Sequence, residues 1–279
     1  MRVLITGSTG FLGSNIVKKI NSTKHEVFKL VHSTPREQND IVWNFKDDLP
    51  SNMPDCDIMI HCAALIYFGA DINIDQYQVN TLATLELCKY AIDNNAYLVF
   101  ASTAAVNGFS NEKISKDTPL SPDTQYGVSK FLAEKIIQKM ADKFCILRIG
   151  GIYGYNGPKH LGLNNSITNA INEKKEPVLK GPGNGKRNYI SIDEASEWVV
   201  HIIDDFQKKR KKEYKDIVYM SGCETLSIRE YLQTIVDVIL PGKQIQQIDG
   251  NVSKDMIIEG DTSPAPCISF KQYLINQLI

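Results

Sequence analysis

The sequence predicts an α/β fold, a doubly wound parallel sheet followed by a smaller C-terminal region. Three observations carry this. Short β-branched runs alternate with amphipathic stretches through the first half of the chain. Three evenly spaced glycines stand between the first such run and the first amphipathic stretch. Beyond residue 150 the alternation loosens into loops that carry glycine and proline. Strict alternation of strand and helix argues for parallel strands covered on both faces. The 279 residues, 43% of them hydrophobic, can bury a large core and suit one large or two closely joined domains.

In chain order, "RVLIT", "EVFKLV", "DIMIHCAA", "YLVFAST" and "FCILRIG" read as strands. "FLGSNIVKKI" and "QVNTLATLELCKYAIDN" carry helical periodicity between them. In "RVLITGSTGFLGSNIVKKI", Gly7 allows a tight turn, Gly10 lets the backbone approach a pyrophosphate, and Gly13 lets the helix pack closely on the sheet. The helix N-terminus then offers unpaired N–H groups to an anion. The spacing is G-x-x-G-x-x-G, and its strand-to-helix context favours a Rossmann-type nucleotide site over a plain glycine turn. Residues 1–150 are expected to form this dinucleotide-binding domain, completed by segments near 188–221, with 151–279 mainly a substrate-binding region. The loops "GYNGPKHLG" and "KGPGNGKRN" fall in the latter.

With 31 basic and 32 acidic residues the net charge is −1, which favours neither nucleic acid nor an anionic membrane as partner. The apolar run of "MRVLITGSTG" is too short for a secretory or membrane-spanning segment, and no later run is long enough. Cys56, Cys62, Cys88, Cys145, Cys223 and Cys267 are scattered without a C-x-x-C pair. They read as reduced buried thiols of a cytoplasmic protein, with neither a disulfide framework nor a metal site. The basic run "QKKRKK", 207–212, reads as a solvated helix end.

"SPDTQYGVSKFLAEK", 121–135, sets Tyr126 and Lys130 four apart at the start of a helix, with Pro122 and Asp123 as entry and N-cap and Val128, Leu132 and Ile136 recurring at helical spacing. About one Y-x-x-x-K match is expected by chance, and a second occurs at Tyr155 and Lys159. That one lies in "YGYNGPK", where Pro158 and the glycines cannot continue a helix. In the first, both polar ends share one helix face.

These residues carry a resemblance. The chain resembles the extended branch of the short-chain dehydrogenase/reductase superfamily, the NAD-dependent epimerases and dehydratases that modify sugar nucleotides. The match runs in order through "TGSTGFLG", "HCAA" at 61–64, "VNTLAT" at 79–84, "ASTAAVNG" at 101–108, "YGVSK" at 126–130, "LRIGGIYG" at 147–154 and "KRNYISIDEAS" at 186–196. It implies Tyr126 as the acid/base. A free tyrosine has a pKa near 10, so Lys130 is expected to lower it, and also to hold the nicotinamide ribose. Thr103 falls where the family keeps a catalytic Ser or Thr, with Ser102 beside it as a second substrate contact. Asn107 replaces a usual tyrosine, which bears on the substrate pocket. Gly7, Thr9, Gly10, Phe11, Leu12, Gly13, Ala63, Ala64 and Asn80 are implied cofactor contacts. His61 reads as structural.

Cofactor choice turns on the end of the second strand, "FKLVHSTPRE". An NAD enzyme of this kind usually places an acid there for the ribose hydroxyls. Here Val31 takes that position, followed by His32, Ser33 and Arg36. The reading is therefore NADP, with NAD as the alternative. Asn44 and Phe45 stand where the family has an Asp and an apolar residue near adenine, and an asparagine carbonyl can accept from the adenine amino group.

Arg187 matches the arginine that sugar-nucleotide members use on a diphosphate. Gly151 departs from the pattern, standing where an asparagine is common. The leading function is an NADP-dependent reductase of a nucleotide-linked 4-keto-6-deoxy sugar. The alternatives are an NAD-dependent nucleotide-sugar epimerase and a non-enzymatic dinucleotide sensor, which need not keep Thr103, Tyr126 and Lys130. "STAAV" offers no acid beside Thr103 of the kind a dehydratase uses. Apolar residues on more than one face of 77–93 and 126–140 add an expected homodimer, as the resemblance implies.

Overall fold

A computed structural model describes residues 1–21, 24–67, 69, 71–209 and 213–278. The chain divides into two compact units: Met1–Ser110, Thr118–Ile149 and Ser196–Tyr219 in the first, Asn111–Asp117, Gly150–Ala195 and Met220–Ile279 in the second.

The elements run β1 (Arg2–Thr6), α1 (Phe11–Ile20), β2 (Glu26–Val31), β3 (Asp40–Val42), β4 (Ile58–His61), α2 (Ile74–Tyr77), a π-helical turn (Gln78–Leu82), α3 (Ala83–Asp93), β5 (Tyr97–Thr103) and a 3-10 turn (Ala104–Asn107). Next come β6 (Lys113–Ile114), α4 (Gln125–Met140), β7 (Phe144–Ile149), β8 (Ile152–Tyr153), α5 (Gly162–Glu173), β9 (Val178–Lys180), β10 (Lys186–Arg187) and β11 (Ile190–Ser191). The chain continues through α6 (Ile192–Gln207), β12 (Lys215–Met220), β13 (Leu226–Ser227), α7 (Ile228–Ile239), β14 (Gln246–Ile248), β15 (Ile257–Ile258) and α8 (Phe270–Asn276).

The first unit is built on a seven-stranded sheet in the order β12-β7-β5-β4-β1-β2-β3. Every neighbouring pair from β3 to β7 is parallel. The centre of the sheet is buried on both faces, as parallel sheets are. Val3, Leu4, Ile5, Ile58, Met59, Leu98, Val99 and Phe100 are all fully buried. This is the Rossmann-like α/β architecture that the alternation predicts. The strand β3 is an addition to it. β3 has only three residues, too few for a period to show.

The second unit pairs its short strands two by two, β10 with β13, β8 with β11, β9 with β14 and β6 with β15. Its helix α7 opens with a capping box between Ser227 and Glu230 and buries Tyr231, Leu232, Ile235, Val236 and Ile239. The core here is aromatic: Tyr153 meets Phe270 and Tyr273 edge-on at 5.1 and 5.0 Å between ring centroids, and Tyr231 meets Phe270 at 4.9 Å.

Two expectations are corrected. Cys223 and Cys267 form a disulfide, although both were expected as buried thiols. They lie 44 residues apart in sequence, so spacing gave no sign that their Cα atoms come within 6.3 Å. Both are exposed. With this bond goes the part of the argument for a cytosolic setting that rested on six free thiols. The N-cap of α4 is Thr124, whose side chain accepts from Gly127 N, not Asp123, which accepts from Ser110 N instead. Of the basic run, Lys208 and Lys209 are exposed beyond α6, and 210–212 lie outside the described residues. No described helix is long and apolar enough to cross a membrane.

Candidate active site

The candidate site lies at the C-terminal ends of β1, β2, β4 and β5 and at the start of α4, where open α/β sheets take their ligands. Gly7 has φ +68°, and a Cβ there would sit 2.6 Å from Ala63 N, so only glycine makes this turn. A side chain on Gly13 would collide with the Gly7 carbonyl oxygen. The helix is thus packed close onto the turn itself. Gly10 is the N-cap of α1 without any side-chain cap bond, and both it and Thr9 are exposed. Phe11 and Leu12 are half-buried in the first turn. Ser8, absent from the sequence reading, is 7% exposed and its Oγ has no hydrogen-bond partner. An orphaned buried hydroxyl in a glycine turn ahead of an uncapped helix fits the diphosphate of a dinucleotide.

Behind this turn a chain of hydrogen bonds fixes β4. Ala63 N donates to Thr6 Oγ1 (3.1 Å), and Thr6 meets His61 Nδ1 at 2.7 Å. His61 Nε2 meets Thr84 Oγ1 at 2.9 Å, and Thr84 donates its one proton to Asn80 O (2.8 Å). Thr84 therefore has only an acceptor left for His61, which must carry its proton on Nε2 and accept from Thr6 on Nδ1. Burial, then the nearby Lys130, hold the imidazole well below its usual pKa, in agreement with that neutral form. His61 is structural.

Asn80 is corrected as a cofactor contact. It is fully buried, and its side chain both accepts from Leu65 N and donates to Leu65 O and Ser129 Oγ. All of its donor capacity is thus committed to bracing the segment after β4 against α4. Ala63 is buried and Ala64 exposed in that segment.

The end of β2 is different. Val31 is 6% exposed, while His32, Ser33 and Arg36 are all exposed. The loop is held from its far side, where Asp40 Oδ2 accepts from Arg36 N (2.7 Å) and Glu37 N (3.1 Å). The acid of this loop, Glu37, is paired with Lys29 at 2.6 Å. Asn44 is half-buried. The ring of Phe45 belongs to the core against Trp43, centroids 4.5 Å apart.

On the catalytic side, Thr103 ends β5 and caps the 3-10 turn, its Oγ1 accepting from Ala105 N at 3.2 Å. Its own proton remains to donate. Lys130 is 1% exposed, with Nζ 3.9 Å from the centroid of the Phe100 ring. Tyr126 stands one turn before it, half-buried. The buried face of α4 comprises Gly127, Ser129, Lys130, Ala133, Glu134 and Ile137, whereas Leu132 of the apolar repeat is exposed. The helix turns its polar residues inward.

The expected lowering of Tyr126 is not what the protein groups produce. Burial pushes Tyr126 up to about 12 and Lys130 down to about 7, each toward its neutral form, because desolvation outweighs every nearby charge. Ser102 is corrected as a substrate contact. Side chains alternate along a strand, so Ser102 points away from the face of Thr103 and donates to the buried Glu134 at 2.5 Å. Asn107 is fully buried and tied to Thr118 O and Tyr219, so it does not shape a pocket.

In the second unit, Arg187 is half-buried and its Nη1 donates to Lys186 O (2.7 Å) and Lys254 O (2.6 Å). The departure at Gly151 has a steric cause, since a side chain there would strike the ring of Tyr189.

A glycine turn after β1, with Thr103 at the end of β5 and Tyr126 and Lys130 at the start of α4, on a Rossmann-like parallel sheet, places the chain with the extended short-chain dehydrogenases/reductases. The chain belongs to the NAD dependent epimerase/dehydratase family, whose model matches residues 3–218, and it is an enzyme of that family. It is similar to UDP-glucose 4-epimerase of Lactobacillus helveticus, 24% identical over 275 residues, 86% of this chain and 83% of the relative. It is also similar to GDP-6-deoxy-D-talose 4-dehydrogenase of Aggregatibacter actinomycetemcomitans, 24% identical over 73% of this chain and 70% of that one. Among solved structures, UDP-glucuronic acid 4-epimerase of Bacillus cereus, with UDP-glucuronic acid and NAD, shares the fold over 100% of both chains at a TM-score of 0.81 and 20% identity.

Proposed function

We propose that the protein is an NADP-dependent reductase acting on the keto group at position 4 of a nucleotide-linked 6-deoxy sugar. The observation that carries the cofactor choice is Val31, an apolar buried residue at the end of β2, with exposed His32, Ser33 and Arg36 after it and the nearest loop acid neutralised by Lys29. A carboxylate beside the ribose would repel a 2′-phosphate, and none stands at that strand end. The name of the Aggregatibacter relative, a 4-dehydrogenase of a 6-deoxy sugar, supports the substrate class.

In this reading Gly7, Gly10 and the first turn of α1 hold the diphosphate, with Ser33 and either His32 or Arg36 at the 2′-phosphate. A nicotinamide held there would supply the hydride for the keto carbon. Thr103 donates to the keto oxygen and positions it, and Tyr126 gives that oxygen its proton, which leaves a hydroxyl. Lys130, held dry over Phe100, supplies positive charge to the tyrosinate formed and a donor to the ribose. Arg187 is the candidate for the sugar nucleotide's diphosphate.

The test is mass spectrometry of any nucleotide released from the purified protein, followed by a comparison of NADPH and NADH binding. Tighter binding of NADH would put the second reading ahead. That reading is an NAD-dependent nucleotide-sugar epimerase, favoured by the names of the Lactobacillus and Bacillus cereus proteins. We further propose a homodimer through the segments 77–93 and 126–140, supported by the exposure of Leu82, Ile92, Leu132 and Met140. A monomer mass by light scattering at micromolar concentration would exclude it.

A further inference from the structure

Beneath Thr103, Tyr126 and Lys130 the first unit buries a polar chain that the reaction does not use directly. Ser102 on β5 donates to Glu134 Oε1 on α4 at 2.5 Å. Arg148 on β7 donates to both oxygens of Glu134, Nε at 3.2 Å to each and Nη2 at 2.7 Å to Oε2. Arg148 Nη1 donates to Tyr219 Oη on β12 at 2.5 Å, and Tyr219 donates to Asn107 Oδ1 at 3.1 Å. Asn107 ends the 3-10 turn that Thr103 begins, and its amide donates to Thr118 O at 2.8 Å. Glu134 and Asn107 are fully buried, Tyr219 is 1% exposed, and Ser102 and Arg148 are each 5% exposed.

The chain touches each catalytic element beside its functional residue. Ser102 immediately precedes Thr103, and on a strand the two face opposite ways, so the hydroxyl of Ser102 clamps β5 from behind. Glu134 follows Lys130 by one helical turn on the same buried face of α4. Burying a carboxylate and a guanidinium is costly, and apolar side chains of equal volume often serve stability as well or better. A role in placement accounts for an ion pair at this spot.

We propose that Glu134 is a positioning residue which, through Ser102 and Arg148, sets where Thr103 at the end of β5 stands relative to Tyr126 and Lys130 on α4. This rests on the reading of those three residues as the proton-transfer group. Placement matters because a shift of about an ångström in such a group costs on the order of a hundredfold in rate. Electrostatics add to it. The groups that face Lys130 are Tyr126 and Glu134 on its own helix, Cys62 and the neutral His61 at the end of β4, and the Phe100 ring on β5; of these, Cys62 and Glu134 favour its charged form against burial.

The test uses the full-length protein, with biosynthetic carbon-13 lysine and the Lys130 signal assigned through Lys130→Arg. Glu134→Gln should lower the pH midpoint of Lys130 by about half a unit or more, whereas Ser102→Ala, which spares the carboxylate, should leave it in place. With NADPH and dTDP-4-keto-6-deoxyglucose as probes, Ser102→Ala should lose at least about tenfold in kcat, with KM for both within about twofold, and Ser102→Thr should recover most of the loss. An unmoved Lys130 midpoint in Glu134→Gln, or an unchanged kcat in Ser102→Ala, overturns the proposal. If Glu134→Gln does not fold, Glu134→Gln with Arg148→Gln leaves no lone buried charge and takes its place. Failure of the underlying reading shows differently: Tyr126→Phe would then turn over the probes as the unmodified protein does, while the Lys130 titration still reports whether Glu134 governs that lysine.

Discussion

The C-terminal end of β5 and the C-terminal end of β2 lie on the same sheet and are built in opposite ways. After β5, nearly every polar group near Thr103 and Lys130 is buried and hydrogen-bonded: Ser102 to Glu134, Glu134 to Arg148, Arg148 to Tyr219, Tyr219 to Asn107. After β2, residues 32–39 are all exposed, and Asp40 and Lys29 fasten the loop from behind. The first arrangement holds its side chains through linked hydrogen bonds and tolerates little change. The second leaves side chains free to meet a charged ligand from water. Changes in the first should therefore act on stability and rate, and changes in the second on affinity.

The severest test of that contrast is Arg148→Met, which strands a buried carboxylate. It should lower the unfolding free energy by about 3–5 kcal/mol, read from denaturant titration, whereas Arg36→Ala on the exposed loop should stay within about 0.5 kcal/mol. Similar losses in the two variants would erase the distinction. Next in size, Tyr126→Phe should cut turnover by a factor on the order of a hundred or more, about 2.7 kcal/mol, with dinucleotide binding largely intact. Near-normal turnover would remove Tyr126 from the chemistry.

Beside the exposed loop, at the buried end of β2, Val31→Asp should weaken NADPH binding by at least about tenfold, roughly 1.4 kcal/mol, and weaken NADH binding less or improve it. The effect should shrink as salt rises, because the loop lies in water. A salt-independent effect would mean that the site is buried after all. The last test is a pH dependence of stability. Lys130 has its pKa lowered from 10.5 to about 7 by burial, so between about pH 7 and 10.5 the unfolded chain binds more protons than the folded one. Stability from this group is lost as pH falls toward 7 and gained as pH rises, by no more than ~1.4 kcal/mol per unit. The stability of the unmodified protein relative to Lys130→Met should accordingly rise from pH 7 to 9, and a flat difference would contradict a buried, depressed lysine.

Most of the sheet could be read from the chain, because β1, β4 and β5 are largely apolar runs and α1 follows its glycines without a gap. The register of Tyr126 and Lys130 was equally plain. Their surroundings were not. Ser102 reads as a substrate contact from its neighbour's role, although the period of a strand, a signal present in the sequence, sets it opposite to Thr103. The burial of Asn80 and the pairing of Glu134 with Arg148 had no such signal. Partners fourteen residues apart on different elements meet only once the sheet is assembled. On α4 the apolar repeat of Val128, Leu132 and Ile136 marks the helix but not its inward face: Leu132 is exposed, and the inward face is the one that carries Lys130 and Glu134.

The bond between Cys223 and Cys267 changes how the second unit can come apart. It closes a covalent ring that contains β13, α7, β14 and β15 entire. A protease that cuts the exposed stretch 249–252 inside this ring leaves two pieces that cannot drift away from each other. On a denaturing gel the nicked chain should keep its full mass until a thiol reductant is added, and only then resolve into an N-terminal fragment of roughly nine-tenths of the length and a short C-terminal one carrying α8.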